Sequence, residues 1–151
     1  MKLEGIHHIS AITGDAPRNV DFYAGTMGMR LVKKTVNQDD PGVYHLFYGD
    51  EKGSPGFDLT FFEYPGAARG RAGAGMVHGI VFRVGSQDSL SFWKDRLGAA
   101  GTETVKGETT LDFRDPEGLG LQLRLTESSE DPLVPLHPEI PEELAIQGFD
   151  S

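Results

Sequence analysis

The chain has 151 residues, with 14 Lys and Arg against 23 Asp and Glu, a formal net charge of -9 and no cysteine. This length fits one domain with a real core, and 38% hydrophobic and 25% charged residues fit a folded chain, whose apolar runs fall far short of the roughly 20 residues needed to cross a bilayer. Disulfides, thiolate metal sites and cysteine nucleophiles are excluded, and a pI near 4.9 without a basic cluster argues against nucleic acid as a partner.

The opening residues lack the apolar stretch of a signal peptide, so a cytoplasmic location is expected. The first extended segment, Gly5 to Gly14, carries His7-His8-Ile9-Ser10. A helix follows, opened by Asp15 as its N-cap with Pro17 in the first turn and closed by Gly28, which can take the left-handed cap conformation. Three extended segments come next: Met29 to Thr35, Val43 to Tyr48 and Phe57 to Tyr64. The turn-rich stretch Gly49 to Gly56 joins the last two as a hairpin. Gly66 to Gly75 reads as a flexible linker, because it lacks the Lys-Ser/Thr of a phosphate loop and does not lead from a strand into a helix.

After the linker the order recurs. Strand Val77 to Val84 leads to a helix opened by Ser86 and closed by Gly98, then to extended segments Thr102 to Val105, Thr109 to Arg114 and Leu119 to Leu125, the last two joined by Asp115-Pro116-Glu117-Gly118. At an offset of 71 positions His7 lies over His78, Ile9 over Ile80 and Gly14 over Gly85. Each copy is a βαβββ unit with one sheet face to bury, so the two must pair. The expected fold is α+β: two βαβββ units, 1–65 and 76–125, form a half-open curled sheet barrel with helices outside. Residues 126–151 read as a Pro-rich acidic tail, or a linker toward a missing second half.

Strand alternation assigns the faces. His78, Ile80, Phe82, Val84 and the leucines of Leu119 to Leu125 point to the helix. Gly79, Val81, Arg83, Gly120, Gln122 and Arg124 line the opposite, concave face. The same parity places His8 and Ser10 there, with Thr60 as the counterpart of Gln122.

Paired βαβββ units opening on His-His-Ile, with an Asp-Pro-Glu-Gly hairpin running into an alternating strand, resemble the vicinal oxygen chelate superfamily of glyoxalases, bleomycin resistance proteins and extradiol dioxygenases. Gly5 to Asp15, Leu31 to Asn37, Tyr44 to Asp50 and Gly53 to Gly56 are most similar to the N-terminal half of hydroquinone-type ring-cleaving dioxygenases. The resemblance implies a metal-dependent, extradiol-type dioxygenase or its N-terminal module, taking a small dihydroxy-aromatic substrate and dioxygen. It also implies Fe(II) or Mn(II) in a 2-His-1-carboxylate site. His8 is carried over as a metal ligand, and His7 and Ser10 as catalytic residues beside it. Four ligand-competent positions then hold His8, Thr60, Gly79 and Gln122, of which only His8 is a strong donor. Gln122 offers an amide oxygen, and Arg83 and Arg124 would line the substrate cavity with Thr60 and Gly79. In that family the missing His and Glu come from a last unit.

Gly148-Phe149-Asp150-Ser151 falls one period after Met76, so the chain is expected to be one half of a longer enzyme, or to dimerise. The metal is then expected to be absent from this fragment taken alone. The competing expectation is a metal-free small-molecule binding protein of bleomycin-resistance type, and a glyoxalase-like isomerase or lyase is the third. Simpler roles stand beside these for single residues: His78 and Trp93 as core, His45 as a strand residue that also suits a cavity wall, and His137 as exposed.

Overall fold

The computed structural model describes residues 5–150. Eight strands and two main helices are ordered as β1 (His8–Thr13), α1 (Ala16–Val20), β2 (Arg30–Val36), β3 (Tyr44–Gly49), β4 (Asp58–Glu63), β5 (Gly79–Val84), α2 (Gln87–Ala99), β6 (Val105–Lys106), β7 (Thr110–Arg114) and β8 (Gly120–Leu125). They form two four-stranded sheets, β1-β4-β3-β2 and β5-β8-β7-β6. In each, the first strand of the unit runs parallel to the last, and the other pairs are antiparallel. The α+β class and the duplicated unit are as expected, and the two sheets do not close into a barrel.

The signals at the helix starts act as read. Asp15 accepts from the Arg18 amide at 3.0 Å, and Ser86 accepts from the Ser89 amide at 3.1 Å. Beyond Val20 the first helix widens into a π-helical turn over Asp21–Thr26, and Gly28 ends it with φ +67°. The second helix departs from expectation. It runs through Gly98 to Ala99, and the left-handed residue after it is Gly101, with φ +78°. Arg96 reaches across to the first unit, donating from Nε to Thr26 O at 2.8 Å and from Nη2 to Gly25 O at 2.9 Å. A cation thus satisfies carbonyls left open at a helix C-terminus.

Both units bury their apolar faces in one core. Tyr23, Leu46, Tyr48, Phe57 and Phe61 of the first meet Ile80, Phe82, Leu90, Trp93, Leu97 and Leu121 of the second. Polar bonds cross the seam: buried Tyr23 Oη donates to Asp115 Oδ2 at 3.0 Å, and the half-buried Gly14 amide donates to Glu117 Oε1 at 2.8 Å. Burial raises the Tyr23 hydroxyl pKa well above its ordinary value, and the neighbouring Asp115 carboxylate adds to the rise, so the phenol remains a donor.

The stretch after β8 does not hang free. Ile140, Ala145, Ile146 and Phe149 are core residues, and Phe149 stacks on Phe82 with ring centroids 5.5 Å apart. Composition pointed to a tail because prolines and acids dominate it, while its few apolar residues are the ones that dock. Gly28 is held beneath this segment. A Cβ there would lie 2.2 Å from Ile140 Cδ1, on a backbone already in the left-handed region. Gly28→Ala should therefore lower unfolding free energy by about 1–3 kcal/mol, measured by urea titration.

Candidate functional site

An open groove of about 1420 Å³ runs between the edges of β1 and β5 and over the second sheet. His8 and Ser10 stand on one wall, Gly79 and Val81 on the other, with Gly120, Gln122 and Asp112 beyond. Gly79 and Gly120 are register partners. A Cβ on Gly79 would have only Gly120 O within 4 Å, at 3.9 Å, so the glycine leaves the groove open beside it.

His8 is exposed. Its Nδ1 lies 3.2 Å from His7 Nδ1, so one imidazole donates to the other. His7 stands one position before the strand and is exposed as well. Ser10 Oγ is 2.9 Å from Thr60 Oγ1, which is buried and does not reach the groove.

Asp58, the register partner of His8, is a neighbour that sequence reading missed. Burial pushes its carboxyl above the ordinary range, against the opposing pull of His8, His7 and His45. The signal was present in the sequence, since Asp58 shares the parity of Thr60.

Gln122 is fully engaged. Its Nε2 donates to Asp112 Oδ1 at 2.7 Å, and its Oε1 accepts from Arg124 Nη2 at 2.9 Å and Nε at 3.2 Å. Asp112 faces Gln122 in the β7·β8 register, which the Asp115 to Gly118 hairpin sets. Arg124 donates in turn to Asp150 Oδ2 at 2.7 Å.

Arg83 requires a correction. Its parity is that of the open face, but the C-terminal stretch covers it. Arg83 is 6% exposed and donates to Ser128 Oγ, Glu130 Oε2 and Gln147 O. Neither Arg83 nor Arg124 lines the groove. His78, expected in the core, is exposed on the groove wall, while His137 is half-buried and Trp93 is fully buried.

These donors do not make a self-contained metal centre. Among the described residues no group of three or more His, Asp or Glu side chains is placed to hold an ion. The amide oxygen that could have joined His8 is taken by a guanidinium, and a cation bound there would meet a like charge at close range. Two unit charges 4 Å apart repel by about 4 kcal/mol at an effective dielectric of about 20. His8 and His78 both stand exposed at the groove, with Asp21 and Glu103 elsewhere along it, but among the described residues no three such donors are gathered.

His45 lies on the open face of the first sheet, its ring 3.9 Å from Phe62 and 4.0 Å from Phe47. Burial holds its imidazole below the ordinary pKa, with Asp58 pulling it up and Lys33 pushing it down. The unfolded chain then binds more protons than the fold as pH drops below about 6.5, so stability is complete above that value and declines below it. Urea midpoints measured between about pH 7.5 and 5.5 should fall for the wild type. The fall should be smaller in His45→Phe, which keeps the stack and removes the titration.

The comparisons agree with this architecture. Residues 5–123 match the family described as the Glyoxalase/Bleomycin resistance protein/Dioxygenase superfamily. The chain is 44% identical to MhqA of Bacillus subtilis, named provisionally as a ring-cleaving dioxygenase, over 99% of this chain and 49% of that protein. It is 35% identical to the chlorohydroquinone/hydroquinone 1,2-dioxygenase of Sphingobium indicum, again over 99% and 49%. A crystal structure assigned provisionally as a Bacillus subtilis dioxygenase superposes with a TM-score of 0.88 at 42% identity, over 96% of this chain and 47% of that one. The chain therefore spans about half the length of the curated relatives it matches. No helix among the described residues is long and apolar enough to cross a membrane.

Proposed function

Because this chain belongs to the glyoxalase/bleomycin resistance protein/dioxygenase superfamily, we propose that it is a module of a metal-dependent, extradiol-type ring-cleaving dioxygenase acting on a dihydroxy-aromatic compound. The observation that carries this reading is the alignment of nearly the whole chain with a hydroquinone dioxygenase, taken with an exposed His8 on the wall of an open groove. Fe(II) or Mn(II), when bound, supplies the Lewis acidity and dioxygen chemistry of such enzymes. His8 is the donor β1 offers, and a complete metal site needs further donors beside it, since no three are gathered among the described residues. His7 orients the His8 ring through the bond between their Nδ1 atoms. Ser10, held by Thr60, presents a hydroxyl to the groove.

The test exchanges this chain for the matched segment of the Sphingobium enzyme, loads Fe(II) without oxygen, and follows oxygen uptake on hydroquinone. Uptake is expected in the exchanged enzyme and is expected to disappear with His8→Ala. Equal uptake with and without the imidazole would overturn the assignment. The engaged Gln122 favours a second reading, a metal-free module that binds a small organic molecule in the groove. Fe and Mn content separates the two: in the exchanged enzyme, metal that depends on His8 supports the first, and metal indifferent to His8 supports the second.

A further inference from the structure

Gly79 is a groove residue that the fold does not account for. A glycine inside a strand weakens it relative to alanine, so such a residue marks a left-handed backbone, a bulge or a close approach. The Gly79 backbone is not left-handed, and its strand pairs with β8 in unbroken register from Gly79 to Val84. Beyond its chain neighbours, the nearest heavy atom to a Cβ there would be Gly120 O at 3.9 Å, an ordinary contact. Its register partner differs, because a Cβ on Gly120 would lie 3.0 Å from His78 O, and that close approach explains the second glycine. In the internal repeat Gly79 lies 71 positions after His8, so the place that carries an imidazole in the first unit is bare in the second.

The bare place has apolar surroundings. Val77 and Val81 stand two residues to either side of Gly79 and line the groove with it, and Ile6, two residues before His8, lines it as well. Val77 is 58% exposed and Ile6 41%. Large apolar side chains left open around a concave surface mark a seat for an apolar ligand group.

We propose that Gly79 determines specificity: the space it leaves across the groove from His8 seats an apolar substituent on the ring of the dihydroxy-aromatic compound, whose hydroxyls face His8 and Ser10. The apolar sides of the space favour an alkyl substituent and disfavour a charged one, which would lose its water there without gaining a partner. A larger side chain at position 79 fills the seat, and a ring held by its hydroxyls at the His8 wall then has room for the plain compound alone. The dihydroxy-aromatic class comes from the functional reading, on which the inference rests, while the apolar seat is read from Gly79, Val77, Val81 and Ile6.

The test titrates hydroquinone and tert-butylhydroquinone into the metal-free chain without oxygen, followed by amide NMR shifts, for the wild type, Gly79→Ala and Gly79→Leu. The wild type is expected to bind the substituted ring at least ~10-fold more tightly, the least that an added apolar group gains in a fitting pocket. Gly79→Leu is expected to abolish that preference, with Gly79→Ala in between. Should the leucine variant fail to fold, the alanine variant carries the test, because its Cβ meets nothing closer than 3.9 Å. Gly79→Ala should also raise the urea midpoint, since alanine suits a strand better than glycine. In the Sphingobium enzyme carrying this chain, Gly79→Leu should lower the ratio of kcat/KM for the substituted over the plain ring at least ~10-fold. A wild type that binds both rings alike or neither, a preference that survives Gly79→Leu, or a urea midpoint lowered by Gly79→Ala overturns the proposal. The titration needs neither metal nor oxygen, so its failure strikes the seat at Gly79, whereas absent oxygen uptake strikes the functional reading.

Discussion

A chain ended after Ser128 should not fold cooperatively. The missing stretch carries Ile140, Ala145, Ile146 and Phe149 into the common core, and burying each of its large apolar side chains contributes about 1.5–3 kcal/mol. It also provides Leu144 O, which accepts from Trp93 Nε1 at 2.8 Å, and the Glu130 carboxylate and Gln147 carbonyl that hold Arg83. Without them the outer edge of β5 opens, and Phe82 and Trp93, both fully buried, meet water. The summed loss reaches the roughly 5–15 kcal/mol that separates folded from unfolded domains. Circular dichroism with urea titration reads the outcome, and a truncated chain within about 1 kcal/mol of the full one would refute the role given to this segment. The point variant Ile146→Ala isolates the packing term and should cost about 2–5 kcal/mol.

The second large effect falls on activity. In the Sphingobium enzyme carrying this chain, His8→Ala should reduce oxygen uptake on hydroquinone by more than ~100-fold. Removing a group that merely orients a metal ligand typically costs about 10–100-fold, and removing the ligand costs more. His7→Ala should therefore fall in that intermediate range, because the His7 side chain hydrogen-bonds His8. The pair of variants makes the reading specific. If His7→Ala were as damaging as His8→Ala, the roles would need exchanging, and if neither mattered the groove wall would have no part in the chemistry. Iron content measured on the same samples tells loss of metal from loss of turnover.

The sequence alone determined the duplication, the α+β class, the caps at Asp15 and Ser86 and the faces of β5 and β8. Each follows from local rules: period-two alternation, a side chain that satisfies free amides, and a repeat that keeps its spacing. It also placed His8 and Ser10 on one face, since β1 is regular and its register with β4 is unbroken. Only the tertiary structure decided which of these positions remain available. Arg83 has the parity of a groove residue, yet Glu130 and Gln147, distant in sequence, close over it. Alternation put Gln122 on the open face and the family resemblance made it a ligand, but neither says anything of neighbours, and Asp112 and Arg124 take up both ends of its amide. Burial depends on contacts between segments far apart along the chain, and no local pattern encodes which segment will lie across a given face.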